Sequence, residues 1–542
     1  MLSLMCECLD LVLDGLSHDG RGIGHLGDTG RPHGRGLTVF VEGALPGQTV
    51  RCRIIARRPR FLEAALLEVL RPAPDAIPPL CPHAGGDAAP QTPACGGCAL
   101  QPMPYARPLE WKARLARDAL LRIGGLKAEN LERAWGGLLP SPGLAGFRNR
   151  MTLAFGTSAA GALLLGQRSR GDAEVVATPS CALLPAGGRE LLEEARAAAA
   201  ESGFTAWRAP ERRRRDSGGA RGFWRFLSLR QGWLPGEELP RWWALCLTSP
   251  GNRRERAAVR ALGERLLGMG PSCRLGGFIH EERSQRDALA AGERRVFCLD
   301  ATGAETPDAA TLHLPLGGRN FALDAASFFQ VNTGGAELLA RTVTDMAATA
   351  AGRGLLDVYC GVGAPGQLLA ARFEAVLGME SDRRAVAMAR RNAESAGLND
   401  CRYESGDAGA LLGRLAAGMP LPGAAKGHAV PPWDMALVDP PRGGLAPAAL
   451  DALLQIAPEH LLYVSCDPAT LARDAVRLTT RYRLERLTAV DLFPHTPHLE
   501  CCSLWRRSRT RTRTARSAGP PAAHERLPPS ARHCHERPAL PS

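Results

Sequence analysis

Lysine is nearly absent from this chain. Of its 67 basic residues only Lys112, Lys127 and Lys426 are lysines, and the rest are arginine. Such a bias follows from codon composition as readily as from selection for phosphate binding, so the formal charge of +12 does not by itself establish a nucleic-acid partner. Its distribution weakens the inference further, because residues 506–542, with nine Arg and two Glu, supply +7 of it. The tail from 508 to 542 reads equally as a phosphate-binding arm or as a solvated, disordered extension. Long apolar runs are missing too. None approaches the ~20 residues that span a bilayer, so no membrane partner is expected. The opening residues, MLSLMCECLDLVLDG, lack a basic segment and are interrupted by Glu7 and Asp10, so they do not read as a signal peptide and a cytoplasmic address is expected. In that reducing compartment the sixteen cysteines are expected to be thiols, metal ligands or catalytic groups, not disulfides. There is no internal repeat, no GxxxxGK[ST] and no complete GxGxxG, so a phosphate-cradling loop is not indicated.

What is present is a long, loop-rich globular chain. Its 542 residues exceed the reach of one hydrophobic core, so two or three domains are expected. Residues 1–71 alternate apolar and polar residues in short runs (LDLVLDGL, LTVFVEGAL, TVRCRIIARR, FLEAALLEVL), which predicts a small antiparallel β-barrel. Residues 72–98 are too rich in Pro, Gly and Ala to be regular structure, and they hold three cysteines. A helix is predicted from Tyr105 to Ile123, ending at Gly124-Gly125. The rest of 72–318 reads as a mixed α+β domain. Its Arg- and Trp-rich runs, ERRRRD at 211–216 and RGFWRFLSLR at 221–230, suit either stacking on unpaired bases or a charged loop beside a half-buried strand. From 319 to 507 apolar runs alternate with turns and helical stretches, the pattern of an α/β, doubly wound parallel sheet, with the last two runs a candidate antiparallel pair.

The chemistry collects at the strand ends of this last region. DVYCGVG (357–363) runs a buried strand into a two-glycine loop where backbone can approach a ligand. Nineteen residues past Gly361, Glu380 ends the next strand, where a carboxylate can accept from both hydroxyls of a ribose. The pairing fits a nucleoside cofactor with a sulfonium better than one with a pyrophosphate. Asp407 follows the third strand, where it could meet an adenine edge or simply cap a helix. Asp439 follows the fourth, its turn stiffened by Pro440 and Pro441. Cys466 follows the fifth strand, where a following helix would favour its thiolate. A thiolate there is a nucleophile for an electrophilic carbon, and Glu500, in FPHTPHLECC, is a base once buried. His495 and His498 are spaced poorly for a metal. Upstream, Cys95 and Cys98 form CxxC, with Cys81 fourteen residues before and Cys181 far downstream. Four thiolates suit tetrahedral zinc or a four-iron, four-sulfur cluster, and spacing does not separate the two.

SFFQVN (327–332), DVYCGVG, VDPPRGG (438–444), YVSCDPATLARD (463–474) and DLFPHTPHLE (491–500), in that order, resemble the bacterial RNA uracil-5 methyltransferases. The likeness extends to CGGCALQ (95–101), FRNRMTLAF (147–155) and VFVEGALPGQTV (39–50), the last similar to that family's OB-like TRAM barrel. It covers roughly residues 9–507. The resemblance implies methyl transfer from S-adenosylmethionine to C5 of an RNA uridine, with Cys466 adding to C6 and Glu500 removing the C5 proton. It implies that Gln330, Tyr359, Glu380 and Asp439 hold the cofactor or orient the base, with Asp407 beside them, and that the uridine is flipped out of its stack. It also implies a 4Fe-4S iron-sulfur cluster on Cys81, Cys95, Cys98 and Cys181. Ribosomal RNA is the favoured substrate, transfer RNA the alternative, and a monomer is expected. Two departures stand out: Ala364-Pro365-Gly366-Gln367 replaces the family's polar and aromatic pair after Gly363, and the gap between Cys81 and Cys95 is longer than usual. An adenine amino-methyltransferase would want an aromatic where Arg442 stands. A non-catalytic RNA-binding protein would not need both Cys466 and Glu500.

Overall fold

Alternation decides the first module. Along the strand Thr49–Arg57, Val50, Cys52 and Ile54 are buried while Arg51, Arg53 and Ile55 are exposed. Five such strands, Cys8–Leu16, Gly22–Leu26, Leu37–Glu42, Thr49–Arg57 and Phe61–Arg71, close into a barrel, antiparallel as expected except that Leu37–Glu42 and Phe61–Arg71 pair in parallel. Its core is Leu11, Leu13, Val39, Val41, Val50 and Leu62. The structure, a computed structural model, describes residues 8–27, 36–84, 94–169, 174–208, 222–422 and 432–508. The run ERRRRD and the tail beyond Ser508 lie outside the described residues.

The central module is a seven-stranded sheet. The helices Gly188–Glu201 and Arg253–Leu267 pack with Leu227 and Leu229 on one face, and the hairpin Thr311–Asp324 packs with Phe226 and Trp243 on the other. Both faces are therefore covered, which corrects one reading of RGFWRFLSLR. The strand Trp224–Gly232 is buried almost throughout. Arg225 lies 4.1 Å over the ring of Trp207 and donates to the carbonyls of Arg283 and Gln285. Phe223, Trp224 and Phe226 are core members and present no exposed face to a base.

The third module is an eight-stranded sheet. From edge to edge its strands are Cys401–Ser405, Phe373–Glu380, Gly352–Val358, Met435–Val438, His460–Ser465, Glu500–Arg507, Tyr482–Val490 and Trp135–Leu139. The first five run parallel, and Glu500–Arg507 enters antiparallel to both its neighbours, as the alternation of runs suggested. The chain turns opposite ways from Gly352–Val358, so a crevice opens at the C-terminal ends of the central strands, where ligands bind in such sheets. This sheet also recruits residues from before the boundary drawn at 318. Trp135–Leu139 pairs with Tyr482–Val490, and Ala116 and Leu120 of the helix Ala106–Arg122 share a core with Leu471, Ala475 and Leu478. Among the described residues no helix is long and apolar enough to cross a membrane.

Candidate active site

The crevice is built from turns that the sequence makes tight. Tyr359 leaves its strand with φ of 65°, a left-handed conformation that an aromatic residue holds only under constraint. Two hydrogen bonds impose it: the backbone N–H groups of Tyr359 and Cys360 both donate to Met379 O, at 2.9 and 3.1 Å. Glu380, at the end of the neighbouring strand, is fixed in turn. Its Oε1 accepts from the backbone N–H groups of Ser381 and Asp382 (2.7 and 2.8 Å) and its Oε2 from Gly361 N–H (3.2 Å). A carboxylate so anchored presents its remaining lone pairs to the crevice without reorganising. Tyr359 faces Asp407, Asp474 and Glu380, and burial raises its phenol. Asp407 caps the helix Ala408–Ala416, accepting from Ala410 N–H at 2.9 Å, so one of its oxygens has a structural task. Gln330 lies half-buried on the loop before the helix Thr333–Met346. Its carbonyl accepts from Asn149 Nδ2 at 3.1 Å. Two residues on, Asn332 Nδ2 donates to Leu492 O at 3.0 Å and so ties this loop to the segment that leads to Glu500.

Cys466 and Glu500 come together because Ser465 and Cys501 are directly paired across antiparallel strands. Asp439 and Arg442 border both. Burial dominates the electrostatics here. Asp439, half-buried at the strand end, has its carboxyl raised to about 7 by desolvation. Glu500, 3% exposed, is pushed well above the ordinary carboxylate range by burial and then by Asp439, with Arg442 opposing. The Cys466 thiol is raised to about 11 by burial, then by Glu500 and Asp439, again against Arg442. The helix Pro468–Leu478 does follow, but Asp467 caps it, accepting from Ala469 and Thr470 N–H. The expected lowering of the thiol by the helix end is thus overturned in the free protein. His495 Nε2 is 2.9 Å from Leu144 O and His498 Nε2 is 3.1 Å from an Arg442 nitrogen, so neither is poised as a metal ligand. Arg442 is the site residue whose importance sequence reasoning underrated. It was visible as a cation on the same turn as Asp439.

The four upstream cysteines also meet. Cys81, Cys95, Cys98 and Cys181 line one cavity of about 50 Å³ together with His83 and Arg148. The Cys98 thiol is pushed up to about 12 by burial and then by the other three thiols. Among the described residues, however, no three His, Cys, Asp or Glu side chains converge closely enough to hold a single metal ion. The thiols surround a space, not a point.

A family model described as tRNA (Uracil-5-)-methyltransferase matches residues 307–508, and one for the TRAM domain matches residues 9–67. The chain is 38% identical over 495 residues to an uncharacterized RNA methyltransferase of Nitratidesulfovibrio vulgaris, an overlap of 91% of this chain and 94% of that one. It is 29% identical over 506 residues to the 23S rRNA (uracil(1939)-C(5))-methyltransferase RlmD of Alkalilimnicola ehrlichii, covering 92% and 97%. In fold it is similar to the tRNA (uracil-54, C5)-methyltransferase of Pyrococcus abyssi, solved with S-adenosyl-L-homocysteine. That match has a TM-score of 0.64 at 24% identity and covers 92% of this chain and 100% of that one. With the barrel, the doubly wound sheet and these relatives in agreement, the chain belongs to the S-adenosylmethionine-dependent RNA (uracil-5-)-methyltransferases that carry a TRAM barrel.

Proposed function

We propose that the chain methylates C5 of a uridine in ribosomal RNA, with Cys466 as nucleophile and Glu500 as base. The observation that carries this reading is the pairing of Ser465 with Cys501, which sets thiol and carboxyl side by side at the edge that also bears Glu380 and Asp439. C5 of uracil is a poor nucleophile, so the ring must first gain electrons. Cys466, having lost its proton to solvent, forms a bond from Sγ to C6, and the displaced π pair makes an enolate across C5, C4 and O4. Asp439, protonated below about 7, can donate a hydrogen bond to that oxygen as negative charge develops. C5 then takes the methyl carbon from the sulfonium, whose C–S bond breaks to leave a neutral thioether. Glu500, having given up to solvent the proton that burial favours and with Arg442 supporting its charge, removes the C5 proton as carboxylate. The freed pair re-forms C5=C6 while the C6–S bond breaks and returns the Cys466 thiolate. Glu380, Gln330 and Tyr359 hold the methyl donor.

The thiol-lined cavity fits an iron-sulfur group. Its donors are four thiols with no carboxylate, among the described residues no three of them converge on a single ion, and the half-buried cation of Arg148 complements thiolate charge. Cys81, Cys95, Cys98 and Cys181 would hold the group, which would cross-link the Pro- and Gly-rich segment to the loop carrying Cys181. The N-terminal barrel and the extended overlap with the RlmD relative support ribosomal RNA. The name of the matching catalytic family and the Pyrococcus neighbour keep transfer RNA as the second reading.

The test is incubation of the protein and S-adenosylmethionine with ribosomal RNA fragments and with tRNA, each containing 5-fluorouridine. Fluorine cannot leave as a proton, so a covalent protein–RNA adduct should accumulate with the ribosomal fragments and disappear in Cys466→Ala. Absence of adduct despite cofactor binding would overturn the mechanism. An adduct with tRNA alone would overturn the substrate assignment.

A further inference from the structure

The segment that delivers Glu500 has little structure of its own. Residues 491–499 form a turn with two prolines, Pro494 and Pro497, and a left-handed His495 at φ of 67°. Internally it is held by Thr496 Oγ1, which donates to Phe493 O at 2.8 Å, and by His498 N–H, which donates back to Thr496 Oγ1 at 3.2 Å. Its anchor is Asp491, 0% exposed, immediately after Val490, which pairs with Glu500.

Lys112 reaches Asp491 from 379 residues away. Its side chain is 0% exposed, and Nζ donates to Asp491 Oδ1 at 2.6 Å and to Phe493 O at 3.0 Å. Tyr105 completes the cluster by donating its hydroxyl hydrogen to Asp491 Oδ2 at 2.7 Å, while its own hydroxyl oxygen accepts from Ser141 N–H at 2.8 Å. A buried ion pair is a costly means of holding two elements together, since an apolar pair of similar volume does so without desolvating charge. What an apolar pair lacks is direction. The compact ammonium fixes the start of the turn at two acceptors, a task that the planar fork of arginine performs differently. This is one of only three lysines in the chain. Lys112 and Tyr105 also sit on or beside the helix Ala106–Arg122, which packs against the helix following Cys466.

We propose that Lys112, with Asp491 and Tyr105, is a positioning cluster that sets the base Glu500 relative to the nucleophile Cys466. This rests on the assignment of those two residues above. Loss of the cluster leaves Cys466 able to add to C6 and C5 able to take the methyl group, but displaces the carboxylate that must remove the C5 proton.

The experiment compares wild type, Tyr105→Phe and the double variant Lys112→Met/Asp491→Asn, which removes both charges together and so leaves neither buried alone. Both variants should form the 5-fluorouridine adduct at the wild-type rate. On ordinary uridine RNA the double variant should lose turnover by roughly 10- to 100-fold, the size expected for a catalytic group misplaced by about an ångström. It should also accumulate a covalent, methylated protein–RNA adduct that wild type does not, with Tyr105→Phe intermediate. Unchanged turnover with no such adduct would overturn the proposal. So would 5-fluorouridine adduct formation falling in parallel with turnover, the mark of general structural damage. Failure of wild type to form any 5-fluorouridine adduct would instead overturn the assignment of Cys466.

Discussion

A resting thiol that titrates near 11 has a consequence measurable without RNA. At pH 7.5 such a group is ionised to about 0.03%, whereas an unperturbed cysteine of pKa about 8.5 is ionised to about 10%. Alkylation of Cys466 by iodoacetamide should therefore be slow at neutral pH and should climb about tenfold per pH unit through pH 10 without levelling. An ordinary thiol flattens above about pH 8.5. Two substitutions test the cause. Asp439→Asn removes a carboxylate that is ionised above about 7 and opposes the thiolate, so it should speed alkylation at pH 9. Arg442→Met removes the cation that favours the thiolate, so it should slow it. Cleavage after arginine leaves Cys466 as the lone cysteine between Arg442 and Arg473, which lets mass spectrometry follow it separately from the other fifteen. A rate that levels off near pH 8.5, or an Arg442→Met variant that reacts faster, would refute the electrostatic account.

Two further outcomes follow from groups outside the reaction centre. Asp357, 1% exposed, has its carboxyl raised to about 7 by burial although it accepts from Gly366 N–H. Between about pH 4 and 7 the folded state keeps a proton that the unfolded chain releases, so the contribution to stability is full below about 4 and is lost as pH rises through 7. Asp357→Asn should consequently match wild type near pH 4 and exceed it at pH 9, by up to about 4 kcal/mol in urea unfolding, and equal stability at pH 9 would contradict the burial argument. For the upstream cavity, Cys95→Ser and Cys98→Ser should each lower bound iron and the visible absorbance of anaerobically purified protein. Iron content unchanged in both would rule out these thiols as ligands.

The parallel strands and the residues at their ends were legible because each obeys a local rule: an apolar run, a glycine or acidic turn, then a capped helix. The barrel was legible for the same reason, with Val50, Cys52 and Ile54 alternating against Arg51, Arg53 and Ile55. Relations between distant segments were not legible. Nothing near Trp135 marks it as the edge strand of a sheet whose other members begin more than two hundred residues later. Lys112 reads locally as one more polar residue on an amphipathic helix, and only the fold brings Asp491 to it. Arg148, inside FRNRMTLAF, reads as a surface cation, yet it lines the thiol cavity. The thiol of Cys466 shows where a local rule loses. A helix end is worth roughly 0.3–1 kcal/mol, while the rise from an ordinary thiol's pKa of about 8.5 to about 11 amounts to about 3 kcal/mol in the other direction. Burial and two carboxylates outweigh the dipole.

These long-range relations converge on the turn that ends in Glu500. The helix Ala106–Arg122 reaches it through Lys112 at Asp491. The thiol-bearing loop reaches it two residues past Cys98, where Leu100 N–H donates to His495 O at 2.9 Å. The barrel reaches it through the turn at Gly20, where φ is 85° and an added Cβ would stand 3.1 Å from Pro497 Cγ. The loop bearing Gln330 reaches it through Asn332 at Leu492. Four segments from outside the parallel sheet thus brace the nine residues before one carboxyl. A parallel sheet supplies rigid strand ends but no rigid loop at an inserted antiparallel strand, and Glu500 opens such a strand. Cys466, at the end of the neighbouring strand, is held by the sheet, whereas Glu500 depends on these four segments for its place.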